Sequence, residues 1–236
     1  MGKVRPAGWW LDGLLVAGFV ALTVALAQRS SLLRLDLAVR DLADAHRPDW
    51  AYLTARVFNY LGQGGQVLLP LALLAAGWMA RRKHSVRPLL PVIGAFVVTY
   101  LTIGPLKLWA DRLAASNKED PHPELLFHDP VGMSYPSGHV VNAIVWYGVL
   151  AILLASTISA NQRRVVRYLA PAIVLFTTTY LSFHWMTDGI AAIMLGVLLD
   201  RLLRRVPWDT VPLGRRLTKW GWAGPADLGE PERDTA

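Results

Sequence analysis

Six apolar runs, Trp9 to Ala27, Tyr60 to Ala80, Pro88 to Trp109, Val140 to Thr157, Tyr168 to Phe183 and Thr187 to Leu203, leave a chain of 236 residues few ways to fold in water. Each is close to the ~20 residues an α-helix needs to cross a hydrocarbon core, and tilt absorbs the differences in length. Backbone polar groups in lipid have to be satisfied within their own segment, so such runs predict helices. Composition agrees, with 53 % of residues hydrophobic and only 17 % charged, which lies outside the usual soluble range. The expected fold is all-α, a bundle of six transmembrane helices forming one domain over residues 1–206. Residues 207–236 read as a flexible polar tail, rich in Pro and Gly, whose Trp208, Trp220 and Trp222 suit the inner headgroup level.

Lys and Arg set the orientation, because short cytoplasmic loops carry their excess. With the N-terminus inside, most of the 24 basic residues fall on the inner side: Lys3 and Arg5, then Arg81, Arg82, Lys83 and Arg87, then Arg163, Arg164 and Arg167, then Arg201, Arg204, Arg205, Arg215, Arg216, Lys219 and Arg233. Both termini are then cytoplasmic. The first run has no convincing small-residue cleavage site, which favours a retained span over a signal peptide. On the outer side Arg29, Arg34, Arg40, Arg47 and Arg56 alternate with Asp36, Asp41, Asp44 and Asp49, so this segment is nearly neutral. Its apolar positions Leu32, Leu33, Leu35, Leu37, Val39 and Leu42 partly follow a helical period, predicting an amphipathic helix along the outer interface, packed over the bundle mouth. The net charge of +7 is no nucleic-acid footprint, since the bases gather beside apolar runs without interleaved surface aromatics. Cysteine is absent, which excludes thiol nucleophiles, disulfides and thiolate metal sites.

Against this background the ionisable groups at the ends of the runs stand out, because such groups at membrane depth are costly and persist where they face a cavity or each other. Lys107 lies at the outer end of the third run, His139 opens the fourth, His184 closes the fifth and Asp188 begins the sixth. Pro136-Ser137-Gly138-His139 reads as a helix entrance in which Ser137 is placed to cap and Gly138 lets a ligand approach the backbone. Free N–H groups at such a start bind phosphate oxygens, with His139 in reach. His184 and Asp188, four apart, share a helix face or a tight turn. A carboxylate on one imidazole nitrogen fixes the tautomer and leaves the other nitrogen as a nucleophile. A metal is disfavoured, since a zinc site wants three or four ligands and His122 and His128 in the outer loop show no recognisable spacing. The glycines at Gly62, Gly64 and Gly65 lack the Lys-Ser/Thr of a phosphate loop and read as a turn.

Between Lys107 and Gly196 the chain resembles the type 2 phosphatidic acid phosphatases, integral-membrane lipid phosphatases that share their site architecture with vanadium haloperoxidases. The second family motif, Pro-Ser-Gly-His, is matched in full at Pro136 to His139, and the His-x-x-x-Asp of the third at His184 to Asp188. The resemblance implies in-line attack by His184 to form a phosphohistidine, with Asp188 orienting it. His139 would protonate the leaving oxygen and then activate water, Ser137 and the Gly138 amide would hold equatorial oxygens, and Lys107 would neutralise charge, with no metal or other cofactor. The implied partners are the bilayer and a lipid phosphate facing the extracytoplasmic side of a bacterial cytoplasmic membrane: phosphatidic acid, phosphatidylglycerol phosphate or a polyprenyl phosphate or diphosphate.

The sequence departs from the family at two places. The Arg-Pro that closes the first motif is replaced by Ala114 and Ala115, and the Ser-Arg that opens the third by Thr177 and Thr178. Arg112, five residues after Lys107, is the cation expected to fold back and take over part of the phosphate grip if the helix ends near Asp111. Two other functions stay open: a lipid phosphotransferase, in which an alcohol replaces water, and a catalytically weakened lipid-binding relative.

Overall fold

The apolar runs fold as helices. The structure, a computed structural model, describes residues 6, 8–128 and 132–213. Its helices are α1 (Trp10–Ala27), α2 (Leu32–Ala45), α3 (Asp49–Asn59), α4 (Leu69–Lys83), α5 (Leu90–Ala110), α6 (Gly138–Leu153), α7 (Ala160–Tyr180) and α8 (Met186–Arg205), with no strand among the described residues. By length and composition, α1 and the stretch Arg87–Ala110 are apolar enough to cross a membrane, and Asp49–Gly62 with Gly64–Lys83, bent by 63°, would make a third crossing if they act as one.

α6 is the axis of the molecule. A helix that is apolar all round belongs in an interior, and Val140, Val141, Ala143, Val145, Trp146, Val149 and Leu150 are buried on its several faces. α7 and α8 pack on it, and α1 packs on the far side of α8. Small residues permit the approach: a Cβ on Gly196 would meet Ile144 at 3.0 Å, and one on Gly148 would meet Asp200 Oδ1 at 2.2 Å. Apolar side chains of α1 (Leu14, Val16, Val20, Val24) and α5 (Ile93, Phe96, Tyr100, Leu101, Leu108) point outward. Outward apolar faces of this extent suit lipid contact.

Three departures from the sequence-based reading have local causes. The segment between the first two apolar runs holds two helices, because α3 follows the expected amphipathic α2 and exposes Trp50, Leu53 and Val57. The run from Tyr60 opens with a 3-10 turn (Tyr60–Gly62) and a π-turn (Gly64–Leu68) before α4 begins. Here Gly62 and Gly64 lie against α6, where a Cβ would meet His139 Cβ at 3.0 Å and Asn142 Cγ at 2.5 Å. α7 begins at Ala160, well before Tyr168, because Ser159 and Gln162 form a reciprocal capping box in which each side chain accepts from the other's backbone N–H.

At the end of the bundle away from His139, two acidic groups hold helices together. Asp200 takes Arg204, one turn further along α8, at 2.9 Å, and also Arg167 of α7. Asp12 of α1 takes Arg201 at 2.6 Å and Arg205 of α8. Trp208 folds back on α5, its ring lying where a Cβ on Gly94 would come within 2.6 Å. Lys3, Arg5, Arg215, Arg216, Lys219, Trp220, Trp222 and Arg233 lie outside the described residues.

Gly148→Val is expected to push Asp200 off its arginines and to destabilise the fold by about 1–3 kcal/mol, as overpacking does. Gly77→Ala, where a Cβ meets nothing within 4 Å, is the matched control. Thermal unfolding in detergent checks this, and equal midpoints for the two variants would show that the α6–α8 approach is not tight.

Candidate active site

Four segments bring polar groups to one end of the bundle. Lys107 stands in the last turn of α5, His139 is the second residue of α6, His184 sits in the turn between α7 and α8, and Asp188 lies in the first turn of α8. The His139 and His184 rings are 5.6 Å apart and meet edge to face. His184 Nδ1 lies 3.2 Å from Ser134 Oγ and 3.5 Å from Asp188 Oδ2. Asp188 Oδ2 also accepts from the Ser134 hydroxyl at 2.5 Å and from the Trp185 N–H at 3.1 Å. That oxygen thus caps the start of its own helix and fixes the imidazole beside it. Ser134 belongs to no motif, and no feature of its spacing announced it.

The turn that presents His184 closes on the backbone carbonyl of Thr178. α7 ends at Tyr180, Ser182 takes a left-handed backbone (φ 56°), and the N–H groups of Phe183 and His184 both return to the Thr178 carbonyl at 3.0 and 3.3 Å. Thr178 is fully buried, with its hydroxyl donating to the Val174 carbonyl at 2.8 Å.

Ser137 occupies the N-cap position of α6, yet its side chain makes no capping bond, contrary to the expected cap. Its N–H donates to the Asp188 carbonyl at 3.2 Å, which ties the start of α6 to the start of α8. Ser137 Oγ and His139 Nε2 are buried without a protein hydrogen-bond partner. Buried polar atoms are nearly always satisfied, so two orphans within the first turn of α6 call for a polar occupant. Lys107 Nζ donates to the Met133 carbonyl, and a Cβ on Gly138 would stand 3.3 Å from Lys107 Cε. Glycine at 138 therefore lets the lysine lie over the helix start.

Arg112 is where the structure departs most from expectation. α5 does end at Ala110, with Asp111 left-handed (φ 45°, ψ 57°), and Arg112 is released from the helix. It then turns inward behind Asp188. Nη1 donates to Asp188 Oδ1 at 2.5 Å and to Thr187 Oγ1 at 2.9 Å, Nη2 donates to Asp36 Oδ2 at 2.7 Å, and Nε donates to the Glu124 carbonyl at 2.9 Å. The guanidinium is fully buried, with the Trp185 ring 5.2 Å away. Asp36, on α2, also accepts from the Thr187 N–H at 2.9 Å and hydroxyl at 2.5 Å. These contacts hold protein groups, not the open side of the site, so the phosphate grip expected of Arg112 is not among them. The loop histidines pair locally, His128 with Asp120 at 3.1 Å and His122 with Glu124 at 3.5 Å.

Electrostatics fit a neutral imidazole at His184. Burial holds it below its ordinary value, and Asp188, which pulls the other way, does not reverse the shift. With Nδ1–H directed to Asp188, the lone pair stays on Nε2.

The sequence profile of the PAP2 superfamily matches residues 88–212. The chain is similar to phosphatidylglycerophosphatase B of Bacillus subtilis (strain 168), 26 % identical over 191 residues that span 79 % of this chain and 90 % of the relative. Its fold is similar to a crystal structure of a transmembrane PAP2-type phosphatidylglycerolphosphate phosphatase from Bacillus subtilis, with a TM-score of 0.71 and 24 % identity, covering 87 % of this chain and 100 % of that one.

A histidine whose value falls below 6.5 keeps its neutral form as pH drops through that point. Nitrogen NMR of labelled histidine is expected to find His184 neutral and protonated on Nδ1 at about pH 6, where an unperturbed imidazole is mostly charged. A doubly protonated ring at that pH would contradict the assignment.

Proposed function

The chain belongs to the PAP2 superfamily, and on that premise we propose that it is a membrane lipid phosphatase, hydrolysing a phosphate monoester or diphosphate on a lipid through a phosphohistidine. The observation that carries this reading is the pair of buried, partnerless atoms, Ser137 Oγ and His139 Nε2, beside the His184–Ser134–Asp188 cluster. Phosphate oxygens would satisfy both. The profile match and the phosphatidylglycerophosphatase relative support the same chemistry.

In the first step His184 Nε2 attacks phosphorus in line, forming the P–N bond as the bond to the lipid oxygen breaks. Asp188 holds Nδ1–H and stabilises the charge that develops on the ring. His139 gives its proton to the leaving lipid oxygen. In the second step His139 takes a proton from water, the water oxygen bonds to phosphorus, and the P–N bond breaks to return His184 and free phosphate. Ser137 and the first amides of α6 hold equatorial oxygens, while Lys107 offsets their charge. Phosphoryl transfer demands positioning and electrostatics more than covalent help, and these groups supply both without a metal.

A lipid substrate is supported by an apolar groove beside the site. This cavity of about 240 Å³ is lined by Leu69, Phe96, Tyr100, Ile103, Asn142 and Trp146 among others. Ile103 lies one turn before Lys107 and Asn142 one turn after His139, so an acyl or prenyl chain there would leave its phosphate at the two histidines. Arg81, Arg82, Lys83, Arg163, Arg164, Arg204 and Arg205 gather at helix ends opposite the site. The positive-inside rule then supports an extracytoplasmic site, with α1, α4, α5, α6, α7 and α8 as the six spans.

The test is phosphate release by purified protein from phosphatidylglycerol phosphate, phosphatidic acid and polyprenyl phosphates, with chelator present. Release is expected in chelator, His184→Ala should fall to background, and an acid-labile phosphoenzyme should accumulate on rapid quenching. His139→Ala should lose about 10²–10⁴-fold on lipid esters, the usual contribution of a general acid, and much less on an aryl phosphate whose leaving group needs no proton. Equal release by His184→Ala would overturn the nucleophile assignment, and loss in chelator would bring a metal back into the mechanism.

A further inference from the structure

We propose that Arg112 and Asp36 are a positioning pair for Asp188, and that helix α2 is thereby part of the catalytic scaffold. The proposal rests on the phosphohistidine reading and adds to it two residues that never touch the substrate. The two oxygens of Asp188 face different neighbours. Oδ2 meets Ser134, the Trp185 N–H and His184 Nδ1, whereas Oδ1 meets Arg112 at 2.5 Å. A carboxylate held at Oδ1 cannot rotate about its bond to Cβ, so Arg112 fixes the direction in which Oδ2 points.

Asp36 gives the pair its balance. A lone buried guanidinium against Asp188 would draw that carboxylate's charge away from His184 and weaken its hold on Nδ1–H. Asp36 faces the same guanidinium at 2.7 Å and shares it. It also fixes Thr187, which sits beside Asp188 in the first turn of α8, through both N–H and hydroxyl. Asp36, Arg112 and Asp188 are all fully buried, which marks a built cluster rather than a surface ion pair. The turn that carries His184 has a tether of its own. Ser182 Oγ donates to Asp44 at 2.8 Å, and Arg47 donates to the Tyr180 carbonyl at 2.8 Å. Both contacts come from α2 and the residues just after it, so one outer helix steadies the nucleophile turn and its orienting carboxylate.

The alternative role for Arg112 is a direct grip on the phosphate, and the two roles separate in kinetics. Arg112→Gln, Arg112→Lys, Asp36→Asn and Asp36→Glu are compared with wild type for kcat and KM on a lipid phosphate, and for inhibition by inorganic phosphate and orthovanadate. Positioning predicts a fall in kcat of about 10- to 100-fold in Arg112→Gln and Asp36→Asn, with KM and both inhibition constants within about threefold, the loss of a charge-assisted contact made through Asp188. Asp36→Glu should recover part of the rate. The double variant Asp36→Asn/Arg112→Gln should be no slower than Arg112→Gln alone, because the two act as a unit. Weaker phosphate and vanadate inhibition by tenfold or more with kcat retained would overturn the proposal in favour of a grip, and unchanged kinetics in both single variants would overturn it outright.

Turnover is not the only readout. The His184 tautomer, followed by nitrogen NMR, is expected to be Nδ1-protonated in the wild type and mixed in Arg112→Gln and Asp36→Asn, and an unchanged tautomer in folded variants would overturn the positioning role. A wild type inert on every lipid phosphate would instead reject the phosphatase reading, with the tautomer measurement still deciding the role of Arg112.

Discussion

A buried guanidinium shared by two buried carboxylates is the constraint on which this end of the molecule depends. Removing such charges from water is expensive, and the expense is recovered only where geometry and hydrogen bonds are complete. Arg112 meets that condition with Asp36, Asp188, Thr187 and the Glu124 carbonyl. These partners come from three parts of the fold: helix α2, the start of α8 and the loop between α5 and α6. The loop itself is pressed onto this point, since a Cβ on Gly132 would come within 2.2 Å of the Arg112 carbonyl carbon. The histidine cluster stands on that foundation, because the carboxylate that Arg112 grips from behind is the one that faces His184.

The opposite end uses the same physics for a different purpose. Asp12 and Asp200 each sit between two arginines of neighbouring turns or helices, and neither contributes to the histidine cluster. Apolar helices in lipid gain little from hydrophobic association, so packing by small residues and polar ties carry more of the burden. Gly148 shows both devices at once, giving Asp200 the space in which to meet Arg167 and Arg204.

Much of this was legible in the chain. The apolar runs foretold α1, α5, α6 and α8 to within a few residues, because composition alone fixes a helix that must satisfy its own backbone. Pro136 to His139 and the His184–Asp188 spacing located the histidine cluster, since these residues are close in sequence and their chemistry is local. The early start of α7 was also written there, in Ser159 and Gln162, but a capping box is quieter than an apolar run. The break before α4 was not legible, because Gly62 and Gly64 are small on account of His139 and Asn142, which lie far along the chain. Asp36 was the hardest to read. In an alternation of Arg and Asp it looks like one more solvated charge, and only the fold turns it inward to meet Arg112, 76 residues away.

That spacing has a consequence for how the protein comes into being. Asp36, Arg112 and Asp188 lie in the first, middle and last thirds of the chain, each 76 residues from the next. A chain emerging from the ribosome holds Arg112 long before its last counter-charge, Asp188, exists. Long-range closures of this kind come late, after the local helices have formed. His184, the proposed nucleophile, and Asp188 are carried by that same late segment. On the proposed mechanism, the groups that act on a lipid phosphate come together only once the segment carrying His184 and Asp188 has joined α5 and α6.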